Sequence, residues 1–478
     1  MRRIPVWILL ALAGTPGCYL FNGLGGGGAS DLDASVRGTD AATPTPSHDA
    51  TPLDVQRPEP LDAPRIVDVW YADTGPPLPA EPEPDPGPDG RPSDDPGDDW
   101  VDPPDPDDAE PCCTLSEPVR LAARPAAAFD SGPPLVGWRP GRWVIAATRR
   151  VSRGEILEHR LVVFELDDVG RPTGDARELE APPMEDVANI PSVRALRWAG
   201  GRWAFVAEGD STRGSEREVH VRLFDAAWAP ASTWLDLGPG MGANVAYLAR
   251  GNGWVAFTSY PDVLRTTAFD ELGGVGAWTE SPAPWSSTLG AASFRSRAAV
   301  VPISAESSPD FVVVDPEGSE VGRVARTGRW IPAGGMAAVR DLAVLAVRNE
   351  GRIEVEVFDP FASRRVAGPR TLAELGVGDD GAITDSVDVA GSSKFGVAGV
   401  CWGVPAAGGR GGGADSQIRF GLVGEDALPR GAAVTIVSSR FRGDLVSCTV
   451  GTDDRGFLVA WWNGSELWVR RVDLAPSP

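Results

Sequence analysis

The chain has 478 residues, a formal net charge of −23, 57 Gly, 45 Pro, and 44 Lys plus Arg of which only Lys394 is Lys. That much Gly and Pro disfavours long helices, and scattered Arg in a net negative chain argues against nucleic acid as a partner. With three His, and five Cys that lack the paired spacing of a zinc cluster, no metal or cofactor is expected.

Residues 1–17 read as an export signal. Arg2 and Arg3 form a basic start, and the apolar stretch Ile4–Ala13 is too short to span a bilayer. Gly17-Cys18 follows, and the segment resembles a bacterial lipoprotein signal, in which cleavage before Cys18 leaves an acylated N-terminal Cys. Thr15-Pro16 departs from that family's usual Leu-then-small pattern, and Ala11-Leu12-Ala13 offers ordinary signal peptidase another site. The resemblance implies a multi-acyl membrane anchor at Cys18, which holds where a single chain binds only marginally. Tyr19 carries no inner-membrane retention signal of that family, which implies an outer-membrane lipoprotein, periplasmic or surface-facing. Ordinary cleavage would instead give a secreted protein.

Residues 18–114 comprise this Cys and a tether rich in Pro, Asp and Glu. Asp31 to Glu110 holds 22 acidic and 4 basic residues, so −18 of the chain's −23 falls there and the remainder is close to neutral. Such a composition buries too little apolar surface to offset ordering entropy, and a disordered linker is expected. In the polyproline limit about 90 residues reach on the order of 280 Å; as a flexible coil they span ~50 Å. Ile66-Val67-Asp68-Val69-Trp70-Tyr71 interrupts the tether, either as a docking strand or as an apolar accident.

From residue 115 to 478 one phrase recurs, an apolar residue followed by Asp: Leu166-Asp167, Phe224-Asp225, Phe269-Asp270, Val314-Asp315, Phe358-Asp359 and Val472-Asp473. A weaker copy, Ile418–Val423, fills the one long gap. Each phrase closes an alternating run such as Arg352–Asp359, the pattern of a half-buried strand. A more continuously apolar run precedes it, such as Arg142–Ala147, Arg202–Ala207 or Gly456–Trp461, as a strand covered on both faces should be. The Asp suits the first position of a turn, where its carboxylate can bond the backbone ahead.

Units of about fifty residues with four strands each predict an all-β, seven-bladed β-propeller of four-stranded blades. Kelch and WD40 units have a similar length, and the chain is similar in architecture to bacterial β-propellers in general, without their Gly-His…Trp-Asp or double-Gly signatures. The last blade lacks an outer strand. Glu117–Ala122 is expected to supply it and close the ring, which removes free edges. Six blades would result if the unit near Ile418 were an insertion.

No catalytic constellation emerges. His159 and His220 sit beside and inside strands and read as structural. Gly408–Gly413 lacks the Lys-Ser/Thr of a phosphate loop, and Asp379-Asp380-Gly381 is too sparse for calcium. Thr452-Asp453-Asp454-Arg455-Gly456 resembles the start of the Asp-box of sialidase-type propellers, a turn element rather than a catalytic one. A sialidase-like site would also need a Tyr, for which Tyr247 and Tyr260 stand in the third unit. Trp143, Trp203, Trp254 and Trp461 are read as matching wedge-filling positions between blades. Cys112, Cys113, Cys401 and Cys448 are candidate disulfide residues in an exported chain. They suggest a tie from the N-terminal strand to the last blades, with vicinal Cys112–Cys113 disfavoured. The expected function is envelope-anchored binding or scaffolding by a monomer, toward an envelope protein or polysaccharide; the alternative is a carbohydrate-active glycosidase or lyase.

Overall fold

In the computed structural model the described residues are 110–122, 133–153, 156–182, 192–210, 217–249, 253–270, 272, 274–283, 288–303, 310–326, 334–349, 351–375, 386–404, 416–439, 445–453, 455–463 and 466–474. They form 28 strands and no helix. Two short strands come first, β1 (Cys113–Leu115) and β2 (Val119–Ala122). Blade 1 is β3 (Leu135–Arg139), β4 (Arg142–Arg153), β5 (Ile156–Leu166) and β6 (Arg177–Leu179). Blades 2 and 3 use β7 (Ser192–Ala199), β8 (Arg202–Asp210), β9 (Arg217–Phe224), β10 (Leu235–Leu248), β11 (Gly253–Tyr260), β12 (Val263–Phe269) and β13 (Thr279–Pro282). Blade 4 is β14 (Thr288–Ser293), β15 (Ala298–Ile303), β16 (Phe311–Val314) and β17 (Glu320–Val324); blade 5 is β18 (Gly334–Val339), β19 (Leu342–Asn349), β20 (Arg352–Asp359) and β21 (Arg364–Glu374). Blade 6 is β22 (Val387–Ser392), β23 (Val397–Val404), β24 (Ser416–Gly424) and β25 (Val434–Ser439); blade 7 is β26 (Leu445–Thr452), β27 (Gly456–Asn463) and β28 (Glu466–Leu474).

Every sheet is an antiparallel meander, so seven four-stranded blades result, and the unit around Ile418 is a true blade whose third strand is β24. On the outer side of β28 lie β1, with Cys113 opposite Leu474, and β2, with Val119 opposite Val469. One strand serves two blades. Leu235–Gly240 of β10 pairs with β9, and Met241–Leu248 pairs with β11. The switch falls in Gly238-Pro239-Gly240-Met241-Gly242, and at Gly240 a Cβ would meet Thr258 Cβ at 3.1 Å and Ser259 O at 3.2 Å. Only glycine lets the strand pass there without displacing β11.

The core is divided among the seams. Seven clusters of buried side chains each lie between neighbouring blades, and the one that joins Trp143, Ile145 and Leu166 to Leu458, Ala460 and Leu467 seals blade 7 against blade 1. Alternate residues of a second strand face alternate seams: Phe457, Val459 and Trp461 turn toward blade 6, and Leu458, Ala460 and Trp462 toward blade 1. This two-sided burial explains the continuous apolar runs.

Candidate functional site

The apolar-Asp phrase has a physical meaning in the fold. Its apolar member, Leu166, Phe224, Phe269, Val314, Phe358 or Val472, ends a third strand in the core, none more than 3% exposed. In blades 1 to 5 the Asp then clamps the turn to the fourth strand; Asp473 of blade 7 lies within β28 and accepts from Arg471 at 3.0 Å. Asp225 Oδ1 accepts from the N–H groups of Ala227 and Ala229, both at 2.8 Å; Asp167 accepts from Val169 and Arg171, Asp270 from Leu272 and Gly274, and Asp315 from Glu317 and Ser319. Three residues after the Asp the backbone enters the left-handed region, at Gly170 (φ 89°), Trp228 (φ 63°) and Gly318 (φ 85°). This is a three-residue hairpin loop with a bulge. Blade 5 varies it, with Asp359 accepting from Phe361 and Ala362. In blade 6 Gly424 takes the Asp position, and the backbone frame is kept by Gly424 N–H to Leu428 O at 2.9 Å.

These turns share one face of the propeller with the short hairpins between first and second strands, such as Arg139–Arg142. Strand alternation puts the remaining connections on the opposite face. Several of those are long in sequence: 180–191 between β6 and β7, 375–386 between β21 and β22, and 405–415 between β23 and β24.

The seven first strands surround the axis and are rich in Gly and Ala. Four charged residues interrupt them: Arg139, Arg194, Arg197 and Asp388. Arg194 pairs with Glu208 at 2.6 Å and Arg139 lies 3.7 Å from Glu165. Arg197 of blade 2 donates instead to the main-chain oxygen of Ala291 in blade 4, at 3.1 Å. Its side chain is exposed to solvent although protein atoms lie densely around it. Desolvation lowers its pKa, and the field of Asp388 opposes that shift. Desolvation raises the Asp388 carboxyl, against the N–H groups of Val450 (2.9 Å) and Val389 and the charge of Arg197. Blade 2 and blade 6 thus present opposite charges to one axial space. Sequence reading passed over both; the available signal was a lone Asp in Val387-Asp388-Val389-Ala390 and an Arg inside Ala195-Leu196-Arg197-Trp198.

His220 is buried in β9 with Nε2 3.7 Å from Glu218, and the side chain of His159 lies outside the described residues. Cys18, Ile66–Tyr71, Asp379–Gly381 and Gly408–Gly413 also lie outside them. Tyr247 packs edge-on against Trp254, and Arg265 covers the ring of Tyr260 at 4.0 Å. Asp453 Oδ1 accepts from Arg455 and Gly456 N–H, both at 2.7 Å, so the Asp-box-like segment is a turn clamp. Trp143, Trp203 and Trp254 are equivalent and fully buried, each opposite the phrase's apolar residue. Trp461 is not their equivalent. Phe457 faces Val472 in that role, and Trp461 sits four residues further on, opposite Cys448 and Trp468. Counting by apolar runs missed the offset because all of β27 is buried except its last residue. Cys112, Cys113, Cys401 and Cys448 are all buried in the cluster between blades 6 and 7.

No family model matches the chain, and no curated protein matches it significantly. Among solved structures it is similar to the Dos1 propeller (9% identity, TM-score 0.43, covering 75% of this chain and 95% of that one). It is similar to the phage phi92 endosialidase (9%, 0.46, 76% and 69%) and to the β-propeller domain of the Trilobed protease from Pyrococcus furiosus (10%, 0.40, 73% and 96%). At these identities the likeness is one of fold.

Proposed function

We propose that this protein is an exported binding or scaffolding propeller, anchored to the envelope through an acylated Cys18 and displayed on the 18–114 tether. The observation that carries the binding reading is the asymmetry of the two faces. One face is finished by short turns whose carboxylates and main chain satisfy each other. The other carries the long connections around an axis lined by Arg197 and Asp388, and recognition concentrates on loops held by a rigid scaffold. Its partner is an envelope protein or polysaccharide. The glycosidase reading is the weaker one. Hydrolysis of a glycosidic bond by the common route needs two carboxyl groups flanking it, and the described first strands supply only Asp388.

Site-specific photocrosslinking tests the binding reading. A photoreactive residue at Asp262 or Arg352, at the hairpins of the loop face, is expected to capture envelope material in the native host. The same residue at Val169 or Glu317, on the Asp-turn face, is expected to capture none. Equal capture from both faces would sink it. The anchor is tested by the intact mass of the mature chain with and without Cys18→Ala.

A further inference from the structure

Four cysteines admit three pairings, and the backbone chooses among them. Cys112 occupies a bend between the Pro111–Ala432 bridge and β1, with its N–H on Ala432 O at 3.0 Å. Along an extended strand adjacent side chains point to opposite faces. The bend turns both thiols to one side, with Cys112 Sγ and Cys113 Sγ 2.8 Å apart and both side chains buried. That separation is inside the ~3.5–4.0 Å at which non-bonded heavy atoms usually rest. Cys401 is the cross-strand partner of Asp388, and Cys448 is held by Ser386, two residues before Asp388, with its N–H on Ser386 Oγ at 3.1 Å. Both therefore face the blade 6–blade 7 seam, where they are buried in one cluster.

We propose that the mature protein carries two disulfides, Cys112–Cys113 and Cys401–Cys448, and that neither ties the N-terminal strap to the ring. The proposal rests on the export reading in one respect, the supply of an oxidant. A disulfide-exchange oxidant of the exported compartment accepts the two electrons and the two thiol protons of each pair and leaves as a dithiol. At the strap, the Cys113 thiol hydrogen-bonds to Cys112 and favours its thiolate, while the same contact and burial raise Cys113. Cys112 thus attacks the oxidant, and Cys113, losing its proton, displaces it from the mixed disulfide. Cys401 and Cys448 are at most 1% exposed, so their bond must form before blade 7 docks on blade 6.

The test is a non-reducing tryptic map of the full-length chain from the exported fraction, with free thiols blocked by maleimide at acid quench. Cys112 and Cys113 share one tryptic peptide, which should be lighter by two hydrogens and unlabelled. Cys401 and Cys448 lie in separate peptides and should appear joined. In Cys448→Ser, Cys401 alone should become labelled while the 112–113 bond persists. Any peptide joining Cys112 or Cys113 to Cys401 or Cys448, or four labelled thiols in a chain whose leader has been removed, overturns the proposal. Leader removal reports export separately. If the leader is retained, the chain refolded in a glutathione redox buffer gives the pairing independently of compartment, and a different pairing or free thiols there overturn it equally.

Discussion

Arg471 grips the Asp453 carboxylate through N–H···O contacts of 2.6 and 3.1 Å, with both side chains almost fully buried. The same guanidinium reaches Asp168 O of blade 1 at 3.0 Å and lies over the Trp143 ring at 5.4 Å. It therefore joins the last blade to the first. Removing one partner of a buried pair strands the other charge, at a cost of about 3–5 kcal/mol. Arg471→Ala is expected to lose that much in urea denaturation, and Arg471→Ala with Asp453→Ala markedly less than twice as much. A single-variant loss below ~1 kcal/mol would show that the seam does not depend on the pair.

The repeated turns give a comparison within one molecule. Asp225→Ala and Asp270→Ala each remove an acceptor for two backbone N–H groups and should cost about 1–2 kcal/mol. Blade 6 offers the reverse experiment. Gly424 stands where the others have Asp, and the atoms nearest to a Cβ there belong to the movable end of Arg430. Gly424→Asp should install the clamp, add an ion partner for Arg430 and raise stability by about 1 kcal/mol. A loss of stability would mean that Arg430 cannot give way.

The axial carboxylate makes a pH prediction. Asp388 is held above its ordinary value by desolvation, so the folded chain binds this proton more tightly than the unfolded chain. Its contribution is full below the unfolded-state pKa and is lost as pH rises through the folded-state value. Denaturation midpoints between about pH 3 and pH 7 should show that falling component in the wild type and lack it in Asp388→Asn. Arg197→Gln removes the opposing cation and should extend the fall to higher pH. Identical profiles for wild type and Asp388→Asn would refute the assignment.

Trp228 occupies a left-handed turn position that costs a non-glycine residue roughly 1–2 kcal/mol. It is 4% exposed, stacks on Trp203 at 5.3 Å and donates Nε1–H to Glu165 Oε1 of blade 1 at 2.9 Å. Trp228→Gly relieves the backbone but loses the packing of a buried Trp, about 3–5 kcal/mol, so a net loss is expected. Trp228→Phe should cost only about 1 kcal/mol, the missing hydrogen bond. Thermal denaturation of the two variants separates the terms.

Second and third strands were readable because each is buried on both faces or alternates, as in Val144–Ala147 and Ile353–Phe358. Fourth strands such as Arg177–Leu179 and Glu320–Val324 were silent, since they are short and face solvent. First strands such as Gly334–Val339 were faint for the opposite reason: many of their positions are Gly or Ala where neighbouring blades approach closely, and a Cβ at Gly335 would meet the backbone of Val389 and Asp388 at 2.9 and 3.0 Å. The Asp of the first five phrases pointed correctly to its turn because that interaction is local, whereas Asp473 lies within β28 and accepts from Arg471 instead. Arg197 and Asp388 were not legible, because their relation spans four blades and no sequence period records it. The four Cys could be counted, but their neighbours depend on a bend at Cys112 that composition does not encode.

The continuous strand Leu235–Leu248 has a mechanical consequence. Most junctions between successive blades are connections outside any strand, so a blade there can peel away once its seam opens. Between the second and third blades the chain is spliced through, and separating them means breaking one strand's ladder in its middle. Under load, or in partial unfolding, this pair should yield as a single leaf while its neighbours come away one at a time. A cyclic permutant opened inside that strand would forfeit the splice, whereas one opened at an ordinary junction would keep it.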